Sequence, residues 1–432
     1  MSNGEVRLAG GIGARLSEFR TRYEAAQALG LKLDLTRGKP SPEQLNLSDA
    51  MLTMPGLGSG VTDSGVDTRN YGEPDGLVEL RAIFAEIYGM PVENLLALSN
   101  GSLRLMHDVL VFAYLYGVPD SRMPWGREEI IRFICPVPGY DRHFAICEAL
   151  GIEMIPVAMH DDGPDLAVIR DLVANDATIK GMWLVPTHSN PSGAITSPDI
   201  ARALVEMPCA APDFRIFWDD AYGVHHLVEG GPEPLPILAI AEQAGNPDRP
   251  LFFTSTSKIT FAGSGVGFIG ASDNNLLWLR RHLGVQSISP DKTNHLRHAL
   301  FLNDPAGVRE HMRRHREILV PKFKQVDEVL HRHLDDYPGV AHWNLPAGGY
   351  FISLNVVPGT AKRVVQLAGE AGVALTPAGA TFPYGTDPDD SNIRIAPSMP
   401  SVADLAQAAE VLALSVLLAA AEQAVAEKAV AA

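Results

Sequence analysis

Four short polar clusters each close an apolar run of this chain. Asn100-Gly101-Ser102 follows LLALS and opens a periodic helical stretch. Such a turn offers free backbone N–H groups, a hydroxyl and a helix N-terminus, a setting suited to phosphate. Asn190 sits in the turn THSNPSG (187–193) after WLVP and supplies a neutral amide. Asp219 and Asp220, with Tyr222 close behind, end the apolar run FRIFW (214–218). A carboxylate in those surroundings is costly unless a cation or donor meets it, so Asp219 demands a partner. Lys258 ends PLFFTSTSK (250–258), where apolar walls can keep part of its amine neutral and nucleophilic toward aldehydes.

Read singly, each cluster has a plainer alternative: a helix cap, a Pro-Ser-Gly turn, an N-cap aspartate, a solvated lysine. Taken together and in this order, they match the needs of pyridoxal 5′-phosphate. Its aldehyde takes a Schiff-base lysine and its phosphate takes a helix N-terminus. A carboxylate keeps the pyridine nitrogen protonated, and neutral donors meet the 3′-oxygen.

The elements that hold these clusters follow from periodicity. Residues 95–99, 129–136, 152–159, 179–186, 213–221 and 250–257 read as strands, and 14–30, 77–89, 102–117 and 141–151 as helices. Short, nearly continuous apolar strands alternating with helices predict an α/β fold with a mostly parallel sheet, whose ligands bind beyond the carboxyl ends of the strands. After residue 305 a charged helix, a Gly-rich strand region, NIRIAP and an Ala-rich final helix read as a smaller α+β region. Residues 1–60 show no core of their own and are expected to pack onto that region or onto a partner subunit. The tail AAAEQAVAEKAVAA reads as a solvated or frayed helix end.

Composition bounds the partners. Among 432 residues, 35 basic and 51 acidic side chains leave a net charge of −16, which repels nucleic acid but does not bar an anionic small substrate. Cys135, Cys147 and Cys209 are few, scattered and odd in number, so no disulfide framework is expected and a reducing cytoplasm is. MSNGEVRLAGG lacks the pattern of a secretory signal, and the apolar stretch Val411 to Ala421 is expected to be too short to span a bilayer. A soluble cytoplasmic protein is the expectation, without membrane or metal.

The set NGS, PGY, SNPSG, DDAY, STSK and NIRIAP resembles, across nearly the whole chain, the fold-type I pyridoxal phosphate aminotransferases of class I. CPVPGYDRHF, SNPSG and TSTSKITFAG resemble most the divergent aspartate aminotransferase branch, subgroup Ic; RGKP (37–40) and YGEPDG (71–76) add to the likeness. The resemblance implies a large cofactor-binding domain (61–305) with a seven-stranded type of sheet. A small domain would be built from both chain ends (1–60 and 306–432).

The same resemblance implies roles. Lys258 would form the internal aldimine and shuttle the proton, Asp219 would pair with the pyridinium nitrogen, and Tyr222 and Asn190 would bond the 3′-oxygen. Gly101, Ser102, Ser255 and Ser257 would hold the phosphate side, and Tyr140, eleven residues before Gly151, would stack on the ring. Tyr71 would reach the phosphate in a neighbouring subunit, making the unit a homodimer with shared sites. Arg394, helped by backbone at Gly38 and by Asn190, would clamp the substrate α-carboxylate. For a distal carboxylate the candidates are Arg142 first and Arg37 second. Eight residues after the lysine, where most of the family has a phosphate-binding arginine, stands Val266, with Ser264 as one candidate substitute.

The activity implied is amino transfer between L-aspartate or glutamate and 2-oxoglutarate or oxaloacetate. An aminotransferase or β-lyase for aromatic or kynurenine-type amino acids would keep the same cofactor residues. A non-catalytic cofactor-sensing regulatory domain is the remote alternative, and no basic helix-turn-helix is read ahead of the N-terminal helix. GVGFIG (265–270) fits GxGxxG without the surrounding βαβ unit of a dinucleotide site. His311 and His315 share a helix face but lack the glutamate of a zinc motif, and His225 and His226 read as structural or rim residues.

Overall fold

Ile179–Leu184, Arg215–Asp219 and Pro250–Ser255 are strands buried at every position, as strands covered by helices on both faces must be. In the computed structural model, which describes residues 11–431, they form the middle of an eight-stranded sheet. Pro250–Ser255, Arg215–Asp219, Ile179–Leu184, Arg132–Val137 and Glu153–His160 lie side by side and run parallel. The two-residue strand Gly163–Pro164 closes one edge antiparallel to Glu153–His160.

The other edge holds a strand that the periodicity did not mark. GVGFIG, which lacks the βαβ unit of a dinucleotide site, contains it: Gly267–Gly270 is antiparallel to both Pro250–Ser255 and Leu95–Ala97. It inserts between the strand that leads to Lys258 and the strand that leads to Gly101, so the two loops become neighbours. Gly267 is required there, since a Cβ would stand 2.7 Å from the Gly101 carbonyl carbon.

Apolar packing falls into three clusters. Two flank the sheet and draw on residues 80–312. The third joins Phe19, Tyr23 and Leu35 from the front of the chain to residues between 319 and 421. It surrounds the antiparallel sheet of Ala341–Trp343, Ile352–Val356 and Asn392–Ile395. Leu33–Asp34 pairs in parallel with Val373–Ala374, tying the two chain ends together. The helix Pro305–Leu334 runs through both regions: Val308 and Met312 pack with the large sheet, Leu319 onward with the third cluster.

Val411 to Ala421, expected to be too short for a bilayer, lies inside the 30-residue helix Val402–Ala431, which is long and apolar enough by length and composition to cross one. Its middle turns are instead buried on all sides, in contact with Leu16–Gln27, Pro305–Leu334 and Ala361–Glu370. The tail stays helical to Ala431. MSNGEVRLAG lies outside the described residues.

Candidate active site

A cavity of about 180 Å³ opens at the carboxyl ends of the parallel strands. Nine residues singled out in the sequence line it: Gly101, Ser102, Tyr140, Asn190, Asp219, Tyr222, Ser255, Ser257 and Lys258. Each arrives by the same device, an apolar strand that ends and releases a polar loop.

Gly101 is the N-cap of the helix Ser102–Tyr116, whose first N–H groups therefore face the cavity. Ser255 Oγ donates to Ser257 Oγ at 3.0 Å and accepts from Ser257 N at 3.4 Å, which draws both hydroxyls to the same end. The helix N-terminus and the hydroxyls of Ser102, Ser255 and Ser257 make this an anion pole.

Asp219 marks the opposite pole. It is 2 % exposed; Oδ2 lies 3.0 Å from Nε2 of the equally buried His143, while Oδ1 has no partner among the described residues. An orphaned carboxylate oxygen inside a cavity is a site for a cationic N–H, and it fits a protonated pyridine. Trp183 stacks on the imidazole at 4.3 Å and 8°, fixing its plane. His143 was absent from the sequence reading. It lies three residues past Tyr140 in PGYDRHF, and nothing in the sequence joins it to a carboxylate 76 residues away.

Lys258 Nζ stands 5.1 Å from the centroid of the Tyr222 ring. Burial raises the Tyr222 phenol, so its hydroxyl stays a donor at neutral pH. Burial also pushes Tyr140 up to about 12, partly offset by the Lys258 ammonium. Tyr140 heads the helix Asp141–Ala149, its ring 5.0 Å from that of His143.

Arg394, from the strand Asn392–Ile395, approaches through Asn190: Nη1 lies 3.4 Å from Asn190 Oδ1 and donates to Asp141 Oδ1 at 2.9 Å. Nη2 reaches Thr376 Oγ1 at 3.4 Å, and Nε is buried without a partner among the described residues. Its guanidinium carbon sits 4.9 Å from the Phe351 ring centroid. Gly38 packs on the same ring, where a Cβ would stand 2.7 Å from Phe351 Cζ, so only glycine lets RGKP lie this close.

Arg394 and Gly38 do not line the cavity themselves, and three further predicted residues stand apart from it. Arg142 is exposed in the first turn of Asp141–Ala149, next to the partner of Arg394, and Arg37 is exposed beside Gly38. Tyr71 is 75 % exposed on a loop whose carbonyls, at Asn70 and Gly72, accept from the buried Lys292 ammonium at 2.7 and 3.0 Å.

Val266 does not face the phosphate pole. Its side chain is fully buried in the core, and its backbone pairs with Thr256. The preceding residue, Gly265, is the one aimed at the loop: a Cβ there would lie 3.1 Å from Asn100 O and 3.3 Å from Ser257 N. Ser264 lines a second cavity of about 700 Å³, beside Arg104, Arg280 and Arg297, rather than the one holding Lys258.

The family model for aspartate amino-transferase matches residues 11–428. A putative aminotransferase of Mycolicibacterium smegmatis is 56 % identical over 408 residues, 94 % of this chain and 95 % of that protein. An aspartate aminotransferase of Corynebacterium glutamicum is 50 % identical over 411 residues, 95 % of each chain. The crystal structure of an aspartate transaminase from C. glutamicum, also 50 % identical, superposes with a TM-score of 0.94 over 96 % of this chain and 97 % of that one.

Proposed function

Since the chain belongs to the aspartate aminotransferase family and is an aminotransferase, we propose that it moves an amino group between L-aspartate or glutamate and 2-oxoglutarate or oxaloacetate, with pyridoxal 5′-phosphate held on Lys258. One observation carries the reading: an anion pole and an unpartnered buried carboxylate oxygen line the two ends of one cavity, with a lysine beside them.

When bound, the cofactor supplies an electron sink for negative charge developing at the substrate Cα. The chain's own residues do the rest. Asp219 Oδ1 would accept the pyridine N–H, and His143 on Oδ2 holds the carboxyl group in place. Tyr222 and Asn190 would donate to the 3′-oxygen, and Tyr140 would cover a ring face. The backbone of Gly101 and the hydroxyls of Ser102, Ser255 and Ser257 would hold the phosphate. The Lys258 amine, beside the Tyr222 ring, would hold the cofactor and serve as the base for the proton at the substrate Cα. Arg394, with the backbone of Gly38 and with Asn190, would bind and orient the substrate α-carboxylate.

Arg142 is proposed for the distal carboxylate because it adjoins Asp141, the ion-pair partner of Arg394. Arg37 is the second candidate. Tyr71 would complete the phosphate site of a second copy, since it is exposed and does not line its own chain's cavity, and the working unit would be a cytoplasmic homodimer. In domain terms the reading assigns residues 61–305 to cofactor binding, with 1–60 and 306–432 forming the small domain.

A panel of amino donors against 2-oxoglutarate tests the substrate. Aspartate and glutamate should exceed leucine, phenylalanine and kynurenine in kcat/KM. Equal rates for aspartate and leucine would remove the dicarboxylate claim while leaving aminotransfer standing.

A further inference from the structure

Two consecutive carbonyls flank the catalytic lysine, and both are taken by groups from distant elements. Tyr350 Oη donates to Lys258 O at 3.4 Å, and His311 Nε2 lies 2.8 Å from Ile259 O, which can only accept. Both lines lead back to Gln44. Its Nε2 donates to Tyr350 Oη at 2.8 Å and to His315 Nδ1 at 3.0 Å. Oε1 of the same amide accepts from Ser41 N at 3.0 Å, which sets the amide's orientation. His315 Nε2 stands 3.2 Å from His311 Nε2, so the two rings converge on the Ile259 carbonyl.

Gln44, His311, His315 and Tyr350 are all buried, and Ser48 Oγ adds a contact to His311 Nε2 at 3.3 Å. Burial pushes His315 down to about 3 and lowers His311 too, so the rings are neutral hydrogen-bonding groups. His315 Nδ1 accepts from Gln44, so its Nε2–H, like that of His311, turns toward Ile259 O rather than toward the other ring. A site asking only for stability would be filled as well by apolar side chains, since buried polar chains cost desolvation at every member. Both branches of this one, however, end on the main chain that carries Lys258.

The location adds to the argument. Gln44 lies in the short helix Pro42–Asn46, directly after Gly38 and RGKP. His311 and His315 lie where Pro305–Leu334 passes from the core of the large sheet to the core of the chain ends. His298 Nε2 lies 3.1 and 2.9 Å from Thr256 Oγ1 and Thr260 Oγ1, one before the lysine and one after it, bracketing the loop.

We propose that Gln44, His315, His311 and Tyr350 are positioning residues that hold the backbone at Lys258 and Ile259, so that seating of residues 38–46 against the molecule places the lysine amine in the cavity. The inference rests on Lys258 as the cofactor-bearing lysine and goes beyond it by naming what places that lysine.

The test uses the full-length apoprotein and two probes. Reductive methylation of Lys258 by formaldehyde across pH, read by mass spectrometry, reports the amine's setting; the Kd for added pyridoxal 5′-phosphate reports the assembled site. His311→Leu and Gln44→Leu should weaken cofactor binding about ten-fold or more and move the Lys258 labelling midpoint by about one pH unit, because small misplacement at a reacting group is amplified. His311→Gln, which keeps a donor near the Nε2 position, should restore both to within about three-fold of the parent. Folded Leu variants with unchanged labelling and affinity would overturn the proposal. If both Leu variants lose the fold, the network is a stability element and the proposal is equally refuted. Lys258→Ala separates the premise: unchanged cofactor binding in that variant would remove the role of Lys258 itself, whatever the other variants do.

Discussion

The guanidinium of Arg394 donates from Nη1 to Asp141 Oδ1 at 2.9 Å, so part of its fork is already engaged by a carboxylate of its own chain. The pair is itself largely buried on the arginine side. Asp141, Asn190 and Thr376 hold the fork in one orientation, to which an α-carboxylate would bind under the proposed role. Arg394→Lys keeps the charge but loses the planar fork, and kcat/KM should fall by roughly 100-fold, mostly through KM. Steady-state kinetics with aspartate and 2-oxoglutarate check this, and an unchanged KM for both substrates would take the α-carboxylate away from Arg394.

Asp219 and His143 act as a pair. Asp219→Asn removes the acceptor charge and should lower kcat by about 100-fold or more, as when a preorganised electrostatic partner of a transition state is lost. His143→Leu leaves the charge but frees Oδ2, and should cost less. Turnover of the two variants, measured with the cofactor content of each, gives the order; a larger loss in His143→Leu would contradict it.

Arg142 is assigned by adjacency. Arg142→Ala should depress aspartate turnover roughly ten-fold more than that of a neutral donor, in line with a lost charge-assisted contact. Equal losses would clear Arg142 of the role and bring Arg37→Ala to the same test.

Asp220, fully buried beside Asp219, is pushed up to about 7 by burial, only partly countered by Thr187. Between the unfolded carboxyl range and pH 7 the folded protein holds a proton here that the unfolded chain does not. Stability from this group is therefore largest at low pH and declines by about 1.4 kcal/mol per unit as pH rises toward 7. Asp220→Asn should abolish that decline and be more stable than the parent at pH 8. Urea midpoints of the two apoproteins from pH 5 to 8 measure the difference; parallel curves would show that Asp220 is ionised in the folded protein.

The cofactor cavity was legible because its parts are local. An apolar strand followed by a polar loop is written in consecutive residues, and a parallel sheet brings all such loops to one end. Contacts between distant segments were not legible: His143 with Asp219, and Gln44 with His315 271 residues away, obey no spacing rule. Val266 misled because counting eight residues from Lys258 ignores how the loop turns, which sends that side chain into the core and leaves Gly265 toward the phosphate loop. Gly267–Gly270 escaped notice because two glycines in four residues lower strand propensity, while the neighbouring strands impose the pairing. The Val402–Ala431 helix hid its role because its middle is apolar on every face, a pattern shared by buried and membrane helices.

The most direct measurement follows the visible absorbance of protein loaded with pyridoxal 5′-phosphate, first alone, then with L-aspartate, then with 2-oxoglutarate. The parent should show a band that aspartate bleaches and 2-oxoglutarate restores, and Lys258→Ala should lack both the resting band and the cycle. A parent band indifferent to aspartate, or a full cycle in Lys258→Ala, would contradict the account.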